Sequence, residues 1–331
     1  MIHDAAVPAD IRPSSVTAIE RRGVGFASAR WSPADLERLM HHLLMKGTAA
    51  LTELQDEELM AAWDATVTAF IDSSSPNRQM LDPALTRLSG LSTAGLQAAM
   101  EVVLGGVEGS AVTRLVDRAS NAAEGPSPLV AILSSNLPGL VVQSLLPALL
   151  LRRPILLKSS TSEPLFAPAF VRALAERHPL IGEAVAAVTW PGGDEALEAP
   201  VLAAAGRILA YGEANTIASL EKRAPEKVHA YGPKTSLAVI GAEVPAISVA
   251  EGLARDISLF DQRGCLSIQA IYTSSDAVGL AKALAEELSD AAADLPPGPP
   301  DPVVVAGVQQ IRMDGALRGL SLIHISEPTR Q

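Results

Sequence analysis

A single cysteine, Cys265, occurs in 331 residues. An internal disulfide framework is therefore excluded, and a reducing compartment is the expectation. Aromatic residues make up 3% of the chain, so the hydrophobic 48% rests on Ala, Leu and Val and is ample for a core. No long basic run is present and the net charge is −11, which argues against nucleic acid as a partner. Residues 1–10 lack the basic-then-apolar pattern of a secretory leader. The longest apolar stretch, 137–151, is interrupted by Pro138, Gly139, Gln143, Ser144 and Pro147, too short and too broken for a membrane span. These absences predict a soluble, cytoplasmic protein. Its length allows two domains, or one large domain with an elaborated edge.

What is present falls into three textures. Residues 1–30 are weakly patterned. Ser32-Pro-Ala-Asp35 reads as a helix start, with Ser32 as N-cap and Pro33 at the first helical position. Leu36, Leu39, Met40, Leu43 and Leu44 continue it at helical spacing. Further helices are predicted over about 56–70 and after Ser92. His41 and His42 are expected at the surface, since no second cluster offers metal-ligand spacing. Residues 1–125 thus read as a mostly helical region. From Pro126, short apolar runs at 129–133, 154–158, 185–189, 207–211 and 227–231 alternate with helical stretches at 139–151, 164–177, 194–205 and 214–222. That alternation predicts a parallel sheet covered on both faces, with ligands beyond the carboxyl ends of its strands. After Lys234, strands at 236–240 and 268–273, helices at 248–259 and 277–293, and a stiff proline-rich loop at 296–302 are expected. The predicted fold class is α/β, with a dinucleotide-binding domain at 126–234 and a partial catalytic domain at 235–319.

The strand ends are chemically loaded. The first leads into Ser134-Ser-Asn136-Leu-Pro138-Gly139, the second into Lys158-Ser-Ser-Thr161, and the third into Trp190-Pro-Gly192-Gly193. The fourth leads into Tyr211-Gly212-Glu213 and the fifth into Tyr231-Gly232-Pro-Lys234. Turn formation explains the Pro and Gly residues but not Asn136 or Lys158. No G-x-G-x-x-G follows the first strand, so a dinucleotide would have to be held differently from the ordinary fingerprint. Cys265 stands directly after Gly264, whose missing side chain leaves the thiol approachable. A thiolate there can carry an acyl group as a thioester. The other reading of a lone cysteine is a buried, inert thiol.

In this order and spacing the motifs resemble the aldehyde dehydrogenase superfamily. More narrowly, they resemble the acyl-CoA reductases of the bioluminescence operon type, which reduce fatty acyl groups to aldehydes. The resemblance covers about residues 80–319 and is best over 129–269. Asn136-Leu-Pro138 matches the superfamily's Asn-x-Pro, which implies an oxyanion-stabilising role for Asn136, and Cys265 matches the acyl-accepting nucleophile. Lys158 matches the lysine at the adenosine ribose or its 2′-phosphate, and Gly212 the glycine of the turn beside the pyrophosphate. Ile132, Ser134, Thr161, Gly192, Glu213 and Gly232 complete the implied cofactor-binding set.

Two departures refine the implied chemistry. Hydrolytic members begin a Glu-Leu-Gly-Gly-Lys motif with a general base; here the segment is Ala230-Tyr-Gly-Pro-Lys234. Water needs such a base to attack a thioester, whereas a thiol attacks as its thiolate. Acyl exchange with a thiol carrier is thus favoured, with an acyl-CoA or acyl-protein thioester as partner and coenzyme A as part of the substrate. Many NAD-dependent relatives carry an acid three positions after the lysine, where this chain has Thr161. Without that repulsion NADPH is the implied cofactor, and a homo-oligomer is expected at full length. Two alternatives stay open: a short-chain, NAD-linked acylating aldehyde dehydrogenase, and a non-catalytic or truncated relative. Residues 320–331 resemble the in-frame translation of a transposase adapter used in DNA sequencing, and they are set aside from fold reasoning. The natural sequence is then expected to continue past about residue 319. The chain as it stands is expected to place Cys265 near Asn136 but to turn over little.

Overall fold

The computed structural model describes residues 1–107, 127–134, 137–245, 247–274, 276–300 and 302–317. It begins with a feature that the weak pattern of residues 1–30 did not announce, an antiparallel hairpin of β1 (Ser15–Arg21) and β2 (Val24–Arg30). Its two-residue turn, Arg22-Gly23, has φ of 49° and 72°, the doubly positive geometry that matches the twist of paired strands. Arg22 Nη1 donates to Leu88 O at 2.9 Å and Arg87 Nη1 to Gly23 O at 3.0 Å, which fixes the turn.

Five helices follow: α1 (Pro33–His42), α2 (Thr48–Glu53), α3 (Asp56–Ile71), α4 (Pro76–Ser89) and α5 (Thr93–Gly105). Ser32 caps α1 as its sequence predicts. Its Oγ accepts from the Asp35 N–H while Asp35 accepts from the Ser32 N–H, a reciprocal capping box. His42 departs from the expected surface position. It is buried, with Nε2 2.8 Å from Glu183 Oε2, because it closes α1 on the face that turns inward. His41 is exposed.

The five short apolar runs form one sheet: β3 (Leu129–Ile132), β4 (Ile155–Ser159), β5 (Val185–Thr189), β6 (Arg207–Tyr211) and β7 (Val228–Tyr231). All neighbours are parallel and the order is β5-β4-β3-β6-β7. The connecting helices are α6 (Val142–Leu150), α7 (Phe166–Arg177), α8 (Pro179–Ala184), α9 (Glu195–Ala204) and α10 (Ala214–Arg223). Strands β3, β4 and β5 are buried along their whole length, which is why they read as continuous apolar runs and not as alternation. Val130, Leu156, Val188 and Ile208 share a core with Trp31, Leu36, Leu39 and Leu220. Trp63 and Phe70 of α3 meet Phe166 and Phe170 of α7 edge-on, with ring centroids 5.0–5.6 Å apart. The free edge of β5 is covered: Ala6 N–H donates to Ala187 O at 2.8 Å and Ala187 N–H to Ala6 O at 2.7 Å. An uncovered edge would otherwise template pairing with another chain.

By its contacts the chain divides into two compact units, Met1–Ser89 with Ala99–Pro233, and Gly90–Ala98 with the chain from Lys234 onward. The boundary anticipated near residue 125 lies outside the described residues. In the second unit β8 (Ser236–Ile240) pairs in parallel with β9 (Ile268–Thr273). Helices α11 (Ile247–Ser258) and α12 (Ala277–Asp294) carry its small core of Ile240, Leu253 and Leu280. A further helix, α13 (Pro302–Leu317), starts on the last proline of the run read as a loop.

Candidate functional site

The sheet reverses direction of growth between β3 and β6. The chain lays down β3, adds β4 and β5 on one side, then returns to add β6 and β7 on the other. In such sheets ligands bind in the crevice beyond the carboxyl ends at that reversal. Ile132 ends β3 there, buried and in register between Lys158 and Ala210. Ser134, half-buried, follows it and lines a cavity of about 20 Å³ with Ser159, Ser160 and Glu163, room for a single water. Glu163 accepts from the Leu165 and Phe166 N–H groups at 2.8 and 2.9 Å and so caps α7. Burial of its carboxyl pushes the pKa up against those two bonds. Sequence reasoning passed over this acid because Glu is not among the usual N-cap residues, although a negative charge is favoured at a helix N-terminus. Asn136 lies outside the described residues.

Lys158 sits opposite Ile132 and Val188 in the sheet and is only 7% exposed. Its Nζ lies 5.8 Å from the centre of the Trp190 ring, a cation–π distance. The Nζ makes no hydrogen bond among the described residues. Burial lowers its pKa, and the charge of Glu198 opposes the shift. Glu198 itself is buried, 2.5 Å from Arg223 Nη2 but off the line of a hydrogen bond, so the contact is charge pairing. Thr161, half-buried, stands two residues beyond β4. Gly192 is exposed, and a Cβ there would meet no atom within 4 Å.

Across the reversal, the Gly212 N–H donates to Tyr231 O at 3.4 Å, and a Cβ at Gly232 would touch Ile217 Cδ1 at 3.4 Å. Tyr211 and Tyr231 stack with centroids 4.5 Å apart, and Ser144 Oγ donates to the Tyr211 hydroxyl at 3.1 Å. Glu213 is the exposed N-cap residue of α10 and its side chain makes no capping bond; nothing in the structure explains an acid there. Ile132, Ser134, Lys158 and Thr161 thus gather at the ends of β3 and β4, Gly192 follows β5, and Gly212, Glu213 and Gly232 follow β6 and β7.

Cys265 belongs to the second unit. Gly264 is buried and Cys265 is exposed, which removes the buried, inert thiol. The approach to it is unusual. Phe260, Asp261 and Gln262 have φ of 65°, 49° and 60°, three successive left-handed residues without a glycine, each strained by its Cβ. Local bonds hold the turn. Arg263 N–H donates to Phe260 O at 2.9 Å, Gln262 Nε2 to Ile257 O at 2.7 Å and Gly298 N–H to Asp261 Oδ2 at 2.9 Å. Past the thiol, Ser267 N–H donates to Gly264 O at 3.1 Å and Ser236 Oγ to Cys265 O at 2.8 Å, seating the cysteine at the start of β9. The Ser267 hydroxyl is buried without a partner among the described residues.

The architecture has well-characterised counterparts. A NAD-dependent benzaldehyde dehydrogenase from Corynebacterium glutamicum superposes with a TM-score of 0.75 at 15% identity, covering 95% of this chain and 74% of that one. An oxidoreductase from Marinobacter aquaeolei gives 0.75 at 14%, covering 98% and 73%. The fold is therefore aldehyde dehydrogenase-like. In sequence, the chain is 31% identical over 149 residues to the long-chain acyl-protein thioester reductase of Photorhabdus luminescens, across 43% of this chain and 31% of that protein. It is 28% identical over 157 residues to long-chain acyl-protein thioester reductase 2 of Photobacterium leiognathi, across 46% and 33%. The matched part spans about a third of the length of these relatives. The model of the acyl-CoA reductase (LuxC) family matches residues 76–320, well over half the chain and inclusive of every strand of the sheet and of Cys265. On that match the chain belongs to the acyl-CoA reductase (LuxC) family.

Proposed function

We propose that this chain contributes the dinucleotide site and the acyl-accepting cysteine of an NADPH-dependent reductase that converts a fatty acyl thioester to an aldehyde. The observation that supports it is the family match over residues 76–320, with the exposed Cys265 inside it. The residues at the strand ends suit a dinucleotide. Lys158 is a buried cation whose Nζ makes no hydrogen bond among the described residues, and Gly192 leaves room for close approach. When bound, NADPH supplies the hydride.

The chain's own part begins at sulfur. The Cys265 thiolate attacks the carbonyl carbon of an acyl-CoA or acyl-protein thioester, and the carrier thiolate leaves, giving an acyl-enzyme. The Cys265 N–H and the Asn136 amide hold the oxyanion. After reduction, the thiohemiacetal on Cys265 collapses: its C–S bond breaks, aldehyde departs and the thiolate is restored. Position 230 is alanine, on the exposed last strand of the sheet, so no carboxylate there activates water, and the acyl-enzyme is spared hydrolysis. Lys158 and Thr161 hold the adenosine ribose end, and Gly212 lets the backbone approach the pyrophosphate.

The test is covalent labelling. The protein is incubated with an ω-alkynyl long-chain acyl-CoA or the matching acyl-carrier protein, and label is read after denaturation. Cys265→Ala is expected to lose the label completely, and to lose aldehyde formation wherever the unsubstituted protein makes it. Undiminished labelling of Cys265→Ala would sink the proposal.

A further inference from the structure

A cleft of about 350 Å³ opens between the hairpin and the ends of β4 and β5. Thr161, Trp190 and Asp194 line one side, and Arg21, Ser28 and Arg30 the other. Neither arginine makes an ion pair or a hydrogen bond through its guanidinium with any described residue. Neither carboxylate of the cleft, Asp4 or Asp194, forms an ion pair with them. Asp4 accepts from Ser28 Oγ at 2.6 Å and from the Ala29 N–H at 2.8 Å, and Asp194 accepts from the Leu197 N–H at 3.2 Å. Trp31 and Trp190 also line the cleft, at 8% and 3% exposure, and the indole N–H of each is buried without an acceptor among the described residues. Trp190 is in addition the ring that faces Lys158, so the cleft and the buried lysine share a wall.

Two guanidiniums without an ion-pair partner in a concave site suit a phosphate, which accepts from arginine in a fork geometry that water satisfies less well. The neighbouring Thr161 hydroxyl supplies a further donor, and its lack of charge leaves the arginines free. We propose that this cleft receives the 2′-phosphate end of NADPH, with Arg21 and Arg30 of the N-terminal hairpin as its cationic ligands beside Thr161. The inference rests on the dinucleotide reading given above and assigns the discrimination between NADPH and NADH to a hairpin more than a hundred residues upstream of the sheet's second strand. A ligand without the phosphate leaves both guanidiniums in water and gains nothing from them.

The experiment titrates the full chain with NADPH, NADH, 2′,5′-ADP and 5′-AMP at one ionic strength, by calorimetry. In the Arg21→Ala/Arg30→Ala double variant, NADPH and 2′,5′-ADP are expected to bind at least about tenfold more weakly, while NADH and 5′-AMP stay within about twofold. Arg30→Lys alone is expected to keep part of the affinity, since it preserves charge and loses the fork. Unchanged NADPH binding in the double variant overturns the proposal and leaves the dinucleotide reading standing. An equal loss of NADPH and NADH also overturns it, because the arginines would then serve no phosphate-specific role. If the unsubstituted chain binds neither dinucleotide, both readings fall.

Discussion

Lys158 concentrates the electrostatic cost of the site in one side chain. An amine at 7% exposure with no hydrogen bond among the described residues is disfavoured in its charged form. Burial accordingly lowers its pKa. Between that lowered value and the ordinary lysine value the unfolded chain binds the proton that the folded chain has released, so stability rises with pH across this window. Below it the folded protein carries the whole cost of the buried charge. Lys158→Met is expected to raise stability near neutral pH by about 1–2 kcal/mol, and the gain should shrink at about pH 10. The same variant should bind NADPH more weakly. Urea unfolding at the two pH values measures the first effect; a Met variant less stable at neutral pH would refute it. Lys158 was legible in the sequence because a turn does not need a lysine. The hairpin arginines were not, since nothing near them in the chain refers to the strand ends they face.

At the level of elements, α4 is fixed by an arginine that the core encloses. Arg78 is 1% exposed, with Nε 2.6 Å from Asp82 Oδ1, Nη2 3.0 Å from Oδ2 and Nη1 donating to Phe70 O at 2.7 Å. The forked pair spans one helical turn and also satisfies a carbonyl in the last turn of α3. Arg78→Leu leaves Asp82 without its cation and is expected to destabilise by about 2–4 kcal/mol, with Asp82→Leu added to it restoring part of the loss. Equilibrium denaturation of the three variants decides this, and a single variant within about 0.5 kcal/mol of the parent would contradict it. The short apolar runs between helices were easy to read, whether buried throughout as in β3, β4 and β5 or partly exposed as in β6 and β7: β5 and β6 run over the predicted residues, and β3, β4 and β7 fall within one residue of theirs at either end. The hairpin was illegible because its strands, Ser-Val-Thr-Ala-Ile-Glu-Arg and Val-Gly-Phe-Ala-Ser-Ala-Arg, mix small and polar residues without contrast between faces. Helix α13 was missed because Pro302 closes a proline cluster, yet proline also suits a first helical position. The left-handed run before Cys265 carries Phe, Asp and Gln, of which only the Asp is a residue type enriched at positive φ.

Across the whole molecule, the division into two units separates the spectroscopic probes. All three tryptophans, Trp31, Trp63 and Trp190, fall in the first unit. The second has a core of Ile240, Leu253 and Leu280 and leaves Leu237, Val239 and Tyr272 of its two-stranded sheet exposed. Apolar residues left exposed on that sheet do little to offset conformational entropy. In rising denaturant, far-UV circular dichroism is expected to report an early transition to which tryptophan fluorescence is blind, followed by a second that both report. NADPH should move only the second. Coincident curves would mean that the units unfold as one. The pairing of Ala6 with Ala187 sets one more condition, on synthesis. The segment that covers β5 leaves the ribosome about 180 residues ahead of the strand it pairs with, roughly 10 to 40 s at usual elongation rates. The cover is therefore waiting when the strand emerges, and the outermost strand on that side need never be presented bare to a neighbouring nascent chain.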